Sequence, residues 1–133
     1  MSKWTEEQLL AINSEGKNII VSAGAGSGKT AVLSERVLRK INDNVPINRL
    51  LILTFTNEAA KEMKDRIRKK LINEKKMEQL SLLEESYITT FDSYSLSIVK
   101  KYHYLLNVSK DIKIIDDTII SNIKDKFIDE IFE

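Results

Sequence analysis

Asn18-Ile19-Ile20-Val21-Ser22 runs without a break into Ala23-Gly24-Ala25-Gly26-Ser27-Gly28-Lys29-Thr30, and a helical pattern follows to Ile41. The first stretch, rich in β-branched residues, has the length and apolarity of a buried strand. The alternating glycines let the backbone curl, so that successive N–H groups can point into one concavity. The helix opening at Thr30 turns its positive end toward the same space. Such a concavity suits phosphate oxygens: Lys29 would reach β- and γ-phosphates as a compact positive charge, and the Thr30 hydroxyl would ligate Mg²⁺. Ala23, Gly24, Ala25, Gly26, Ser27, Gly28, Lys29 and Thr30 are therefore expected to hold the phosphates of ATP with Mg²⁺. Ala23 stands where a glycine is usual, which is tolerable if the turn demands no positive φ there. A chance glycine-rich turn is the competing reading, and the strand before it and the helix after it argue against that.

Outward from this loop, short apolar runs alternate with helical patterns. Leu50–Thr54 (LLILT) reads as a second buried strand and Tyr87–Thr90 as a third. A long helix is expected from about Glu58, one after the third strand through Tyr104, and a last one over Thr118–Phe132. Asn42-Asp43-Asn44 with Pro46 marks a turn. In the long helix, Ala59, Ala60, Met63, Ile67 and Leu71 recur at spacings of three and four and form one apolar stripe. Apolar strands separated by helices predict an α/β fold, a parallel sheet flanked by helices.

Composition excludes several classes. With 133 residues, 42% hydrophobic and 31% charged, the chain has the size and make-up of one globular domain. It has no cysteine and a single histidine, His103, so a disulfide framework or a thiolate or histidine metal site is not expected. No apolar run approaches a membrane span, and a cytoplasmic location is expected. The net charge of +1 is unevenly spread: Lys61–Lys76 carries eight basic against three acidic residues, and Asp111–Glu133 seven acidic against three basic. The basic stretch could follow a phosphate backbone or be a solvated helix face.

Four segments together resemble the N-terminal part of the UvrD/Rep-type superfamily 1 DNA helicases. They are Trp4-Thr5-Glu6-Glu7-Gln8, the AGAGSGKT loop, Thr54-Phe55-Thr56-Asn57-Glu58-Ala59-Ala60, and Thr89-Thr90-Phe91-Asp92-Ser93-Tyr94. Ala31 after the GKT, with Glu35-Arg36 downstream, is similar to the AddA helicase–nuclease branch. The resemblance implies an incomplete RecA-like P-loop domain over residues 1–108 and the start of an inserted helical accessory domain over 109–133. It implies an ATP-dependent helicase that translocates on single-stranded DNA in repair or recombination. The partners implied are the remainder of the helicase chain, with its second RecA-like domain, and a nuclease partner subunit.

Residue by residue, Gln8 matches the family glutamine that reads adenine, yet Thr5-x-x-Gln8 is also a helix capping box. Thr54, Phe55, Thr56 and Asn57 match a motif that touches single-stranded DNA, with Phe55 stacking on a base; the alternative for Phe55 is core packing. Thr90 and Ser93 match a second DNA motif, in which the usual histidine is replaced by Asp92, a residue better suited to capping the next helix. Tyr102, His103 and Tyr104, beside Lys100 and Lys101, suit ordinary helix packing better than a stacking platform.

Several catalytic parts have no counterpart here: a Walker B carboxylate, a residue orienting the attacking water, and arginines for the γ-phosphate. Ile114-Ile115-Asp116-Asp117 imitates a Walker B end, but Lys113 interrupts the apolar run, and Asp116 or Asp117 reads as the cap of the last helix. The chain alone is therefore expected to be inactive. The rival readings are a nucleotide-binding module without motor activity and a P-loop kinase.

Overall fold

The computed structural model describes residues 4–16, 18–115 and 117–132. The chain divides into two compact units, Met1–Phe91 and Asp92–Glu133.

The first unit is mixed α/β. Its elements are α1 (Glu6–Asn13), α2 (Lys29–Asn42), β1 (Leu51–Thr54), α3 (Asn57–Asn73), α4 (Met77–Leu82) and β2 (Tyr87–Thr90). β1 and β2 form a parallel two-stranded sheet in the register Leu51↔Tyr87, Ile52↔Ile88, Leu53↔Thr89 and Thr54↔Thr90. Parallel neighbours need a long crossover, which α3 and α4 supply. Alternation along the strands buries Ile52 and Ile88 on one face and leaves Leu51, Leu53 and Tyr87 exposed.

One core holds this unit together. α2 contributes Val37, Leu38 and Ile41, α3 contributes Met63, Ile67 and Leu71, and the strands contribute Ile52 and Ile88, with Ile47 and Leu83 from short 3₁₀ turns. The expected stripe on α3 is buried at Ala60, Met63, Ile67 and Leu71, while Ala59 is exposed, one position round from the buried arc. α3 starts where the Thr56 hydroxyl accepts the Ala59 N–H at 3.1 Å. α2 ends in the predicted Asn/Asp turn: Asn44 has φ +65°, and Val45 N–H donates to the Lys40 carbonyl at 2.9 Å. This is a helix stop built on a left-handed residue, a conformation that asparagine tolerates.

The expected strand at Asn18–Ser22 is not formed. Residues 18–24 have no regular structure, and Ile20 is 96% exposed. Apolar, β-branched residues favour an extended chain, but a strand also needs a neighbour for its N–H and C=O groups, and none of the described residues pairs with this run. The other two strands fall where they are expected.

In the second unit, α5 (Phe91–Lys101) continues as a 3₁₀ turn, His103–Leu105, and α6 spans Asp117–Phe132. α5 begins at Phe91, so Asp92 lies inside its first turn rather than capping it; its charge still faces the positive helix end. Asp116 lies outside the described residues, and α6 opens at Asp117. Ile112–Ile115 forms no strand and is largely exposed, as expected from Lys113 within it. Tyr102 and Tyr104 are exposed, with Tyr104 edge-on to His103. Among the described residues, no helix is long and apolar enough to cross a membrane.

Candidate functional site

The Ala23–Thr30 loop ends on the first turn of α2. Its curl rests on two left-handed glycines, Gly26 at φ +75° and Gly28 at φ +82°, the latter being the N-cap of α2. No side chain caps that helix start, which leaves the first-turn N–H groups to other acceptors. Residues 22–27 are exposed, and a Cβ placed on Gly24 or Gly26 would meet nothing within 4 Å. Lys29 folds back over the loop, its Nζ donating to the carbonyls of Ala23 and Gly24 at 2.7 Å each. An ammonium has three donors, so one remains to meet a ligand. Thr30, the second residue of α2, is exposed beside it. The Ala23 position needs no positive φ, which accounts for the absence of glycine there.

Gln8 comes to this loop from α1. Its backbone N–H donates to Thr5 Oγ1 at 3.2 Å and its Oε1 accepts the Thr5 N–H at 3.0 Å, so the capping box is present. The same amide donates from Nε2 to the Ser27 carbonyl at 3.0 Å. A glutamine amide offers two N–H groups and two acceptor lone pairs, so one of each stays available. A cavity of about 760 Å³ lies here, lined by Gln8, Gly26, Ser27 and Lys29 and by the apolar side chains of Val32 and Leu33. Glu7 is the one carboxylate lining it among the described residues. The glycine loop and Gln8, which stands 21 residues before Lys29 along the chain, are thus brought to one place.

Arg36 also lines this cavity, and reading the sequence alone assigned it no role of its own. Its Nη1 donates to the carbonyls of Ala11 at 2.8 Å and Ile12 at 3.2 Å, in the last turn of α1. That turn carries no basic residue of its own, which was the available clue.

Most of the other expected contacts lie at the carboxyl end of the sheet. Thr54 closes β1 opposite Thr90, which closes β2, and its hydroxyl donates to the Thr56 carbonyl at 2.9 Å. Phe55 is 104% exposed, so the core-packing alternative does not hold. Thr56 is exposed but spends its hydroxyl as the α3 cap, and Asn57 opens α3 on the surface. Thr90 is 7% exposed, so its side chain lies inside the fold, whereas Ser93 is exposed on α5.

The basic stretch is partly neutralised. Lys64 and Arg68 both meet Glu84, at 2.9 and 2.7 Å, Arg66 meets Glu62 at 2.8 Å, Arg68 meets Asp65 at 2.5 Å, and Lys70 pairs with Glu35. The Arg68 hydrogen bond, and then Lys64, hold the Glu84 carboxyl below its ordinary range. Lys61, exposed one turn after Asn57, is engaged by no ion pair among the described residues.

Residues 4–133 match the family described as the UvrD/REP helicase N-terminal domain. The chain is 44% identical over 145 residues to the A subunit of the ATP-dependent helicase/nuclease of Bacillus licheniformis, covering 99% of this chain and 12% of that protein. Proteins of the same name from Heliobacterium modesticaldum and Geobacillus thermodenitrificans are 42% and 43% identical, over 98% and 99% of this chain and 10% and 12% of theirs. The chain thus spans about a tenth of the length of these relatives. With the glycine loop, its lysine and the Thr54–Ala60 segment all inside the matched region, this chain belongs to the UvrD/REP helicase family, as a member of its N-terminal domain.

Proposed function

We propose that this chain is the ATP-binding portion of an ATP-dependent DNA helicase that moves along single-stranded DNA in repair or recombination. The observation that carries the proposal is the loop at the α2 start: left-handed Gly26 and Gly28, an uncapped helix end, and Lys29 Nζ held at 2.7 Å from two loop carbonyls. The arrangement fits a polyphosphate, because a helix start with no side-chain cap and one remaining ammonium donor belong to the same exposed loop. Thr30 would hold Mg²⁺, and the bound metal would neutralise charge on the phosphates. Gln8, with one donor and one acceptor still open, suits the edge of an adenine.

The parallel pair β1 and β2 with its α3 crossover supports a RecA-like P-loop fold for residues 1–108, with 109–133 opening a helical accessory insertion. Phe55, Thr56 and Asn57, exposed at the carboxyl ends of parallel strands, suit a strand of DNA, the position where α/β sheets commonly take ligands. Thr54 supports that turn from beneath. A second RecA-like domain and a nuclease partner subunit would complete the machine; the relatives' name, which joins helicase to nuclease and marks one subunit of several, supports both.

Titrating Mg·ATP into the chain and into Lys29→Ala tests the reading. Loss of a charge-assisted hydrogen bond should weaken binding on the order of ten- to a hundredfold. Equal affinities would reject the phosphate loop. Turnover that depends on Lys29 would reject the view that this chain is catalytically incomplete by itself.

A further inference from the structure

We propose that Arg36 is a positioning residue for base recognition, acting through α1, an inference that rests on the nucleotide-binding reading above. α1 has eight residues, too few to be stable as an isolated helix. Its first turn carries Gln8, and the three-to-four-residue spacing puts Ala11 and Ile12 one turn further along the same side. Arg36 stands two turns after Lys29 on α2 and donates from one nitrogen to both the Ala11 and Ile12 carbonyls. α1 is therefore tied to the loop and its helix at three points: Gln8 holds the Ser27 carbonyl, Arg36 holds the helix end one turn below, and Arg39 holds the side chain of Asn13, the last residue of α1.

The ties differ in chemistry. Gln8 to Ser27 is a neutral hydrogen bond on an exposed loop. Arg36 brings a full charge, half-buried, to the negative end of a helix that has no basic residue in its last turn. Among the described residues, the hydrogen bonds of the guanidinium go to α1 carbonyls and not to the loop, so its directional contacts set where Gln8 stands. Removing it should cost base recognition more than phosphate binding.

Calorimetric titration of the chain with Mg·ATP and, separately, with Mg·tripolyphosphate separates the two. Wild type should bind ATP more tightly than tripolyphosphate. Arg36→Met should lower ATP affinity by about tenfold, toward the tripolyphosphate value, with a distinctly smaller fall for tripolyphosphate. Arg36→Lys, which keeps a charged donor, should restore part of the loss. Gln8→Ala should produce the same loss, and the double variant no more than either alone, because both act on one contact. An equal fall for both ligands would make Arg36 a general support of the fold and overturn the inference, as would full retention of the ATP preference in Arg36→Met. Equal affinity of wild type for the two ligands would overturn it while leaving the phosphate loop standing. Wild type binding neither ligand would remove the phosphate-loop reading and this inference with it.

Discussion

The side-chain nitrogen of Gln8 donates to the main-chain oxygen of Ser27 across 3.0 Å, while its oxygen closes the capping box on Thr5. One amide therefore starts α1 and rests that helix on the glycine loop. The loop backbone is adapted to this approach: a Cβ on Gly28 would lie 3.3 Å from Gln8 Nε2.

Alanine substitutions at the three loop glycines should form a graded series. Gly24 has no positive φ and open space, so Gly24→Ala should be near neutral. Gly26→Ala meets no atom but must hold φ +75°, at about 1–2 kcal/mol. Gly28→Ala should cost more, since it adds the Gln8 contact to the same conformational penalty. Urea unfolding of the three variants checks the order; equal costs would remove the Gln8 contact from the account.

Phe55→Ala should leave stability unchanged within about 0.5 kcal/mol, because an exposed ring has little packing to lose. Ile67→Ala, in the core, should cost about 2–5 kcal/mol. If Phe55 stacks on a base, its removal should weaken single-stranded DNA binding by about 1–3 kcal/mol. Fluorescence anisotropy with a labelled oligonucleotide measures this, and unchanged affinity would leave Phe55 without the proposed role.

Cations on α3 should divide by their pairing. Lys61→Gln should lower the slope of log affinity against log salt for DNA by about one, as expected when one phosphate is no longer neutralised. Arg68→Gln should leave the slope alone, because Asp65 and Glu84 already hold that guanidinium. A slope reduced equally by both would place DNA along the whole helix.

The Glu84 ion pairs predict a pH dependence of definite sign. Arg68 first, then Lys64, lower the carboxyl pKa in the folded chain, so folding binds fewer protons at that group than unfolding does. Their contribution is present above the ordinary carboxylate range, about pH 4, and is lost as pH falls through the lowered folded value. The difference in Tm between wild type and Glu84→Gln should therefore be visible at pH 7 and close in acid. It should also shrink in salt, since the carboxyl is exposed. A difference independent of both pH and salt would assign it to packing.

Much of this was legible along the chain. The stripe Ala60, Met63, Ile67 and Leu71 named both α3 and its buried face, because a helix repeats its neighbours every three or four residues. β1 and β2 were legible from apolarity and β-branching, and the capping box of α1 from Thr5 and Gln8. The glycine loop was legible because its conformation is nearly a property of its own residues: only glycine takes positive φ cheaply at 26 and 28.

Tertiary structure alone decided which distant groups meet. Arg36 reaches carbonyls 24 and 25 residues earlier, and Glu84 reaches back 20 and 16 residues to Lys64 and Arg68. No spacing rule announces such partners, since hydrogen bonds and ion pairs act over a few ångströms and depend on where each element comes to rest. The same reason governs Asn18–Ser22, whose residues favour an extended chain but cannot supply the neighbouring strand. It governs Phe55 too: an aromatic residue after a strand is core or surface according to what packs over it, and here the fold leaves the ring in solvent.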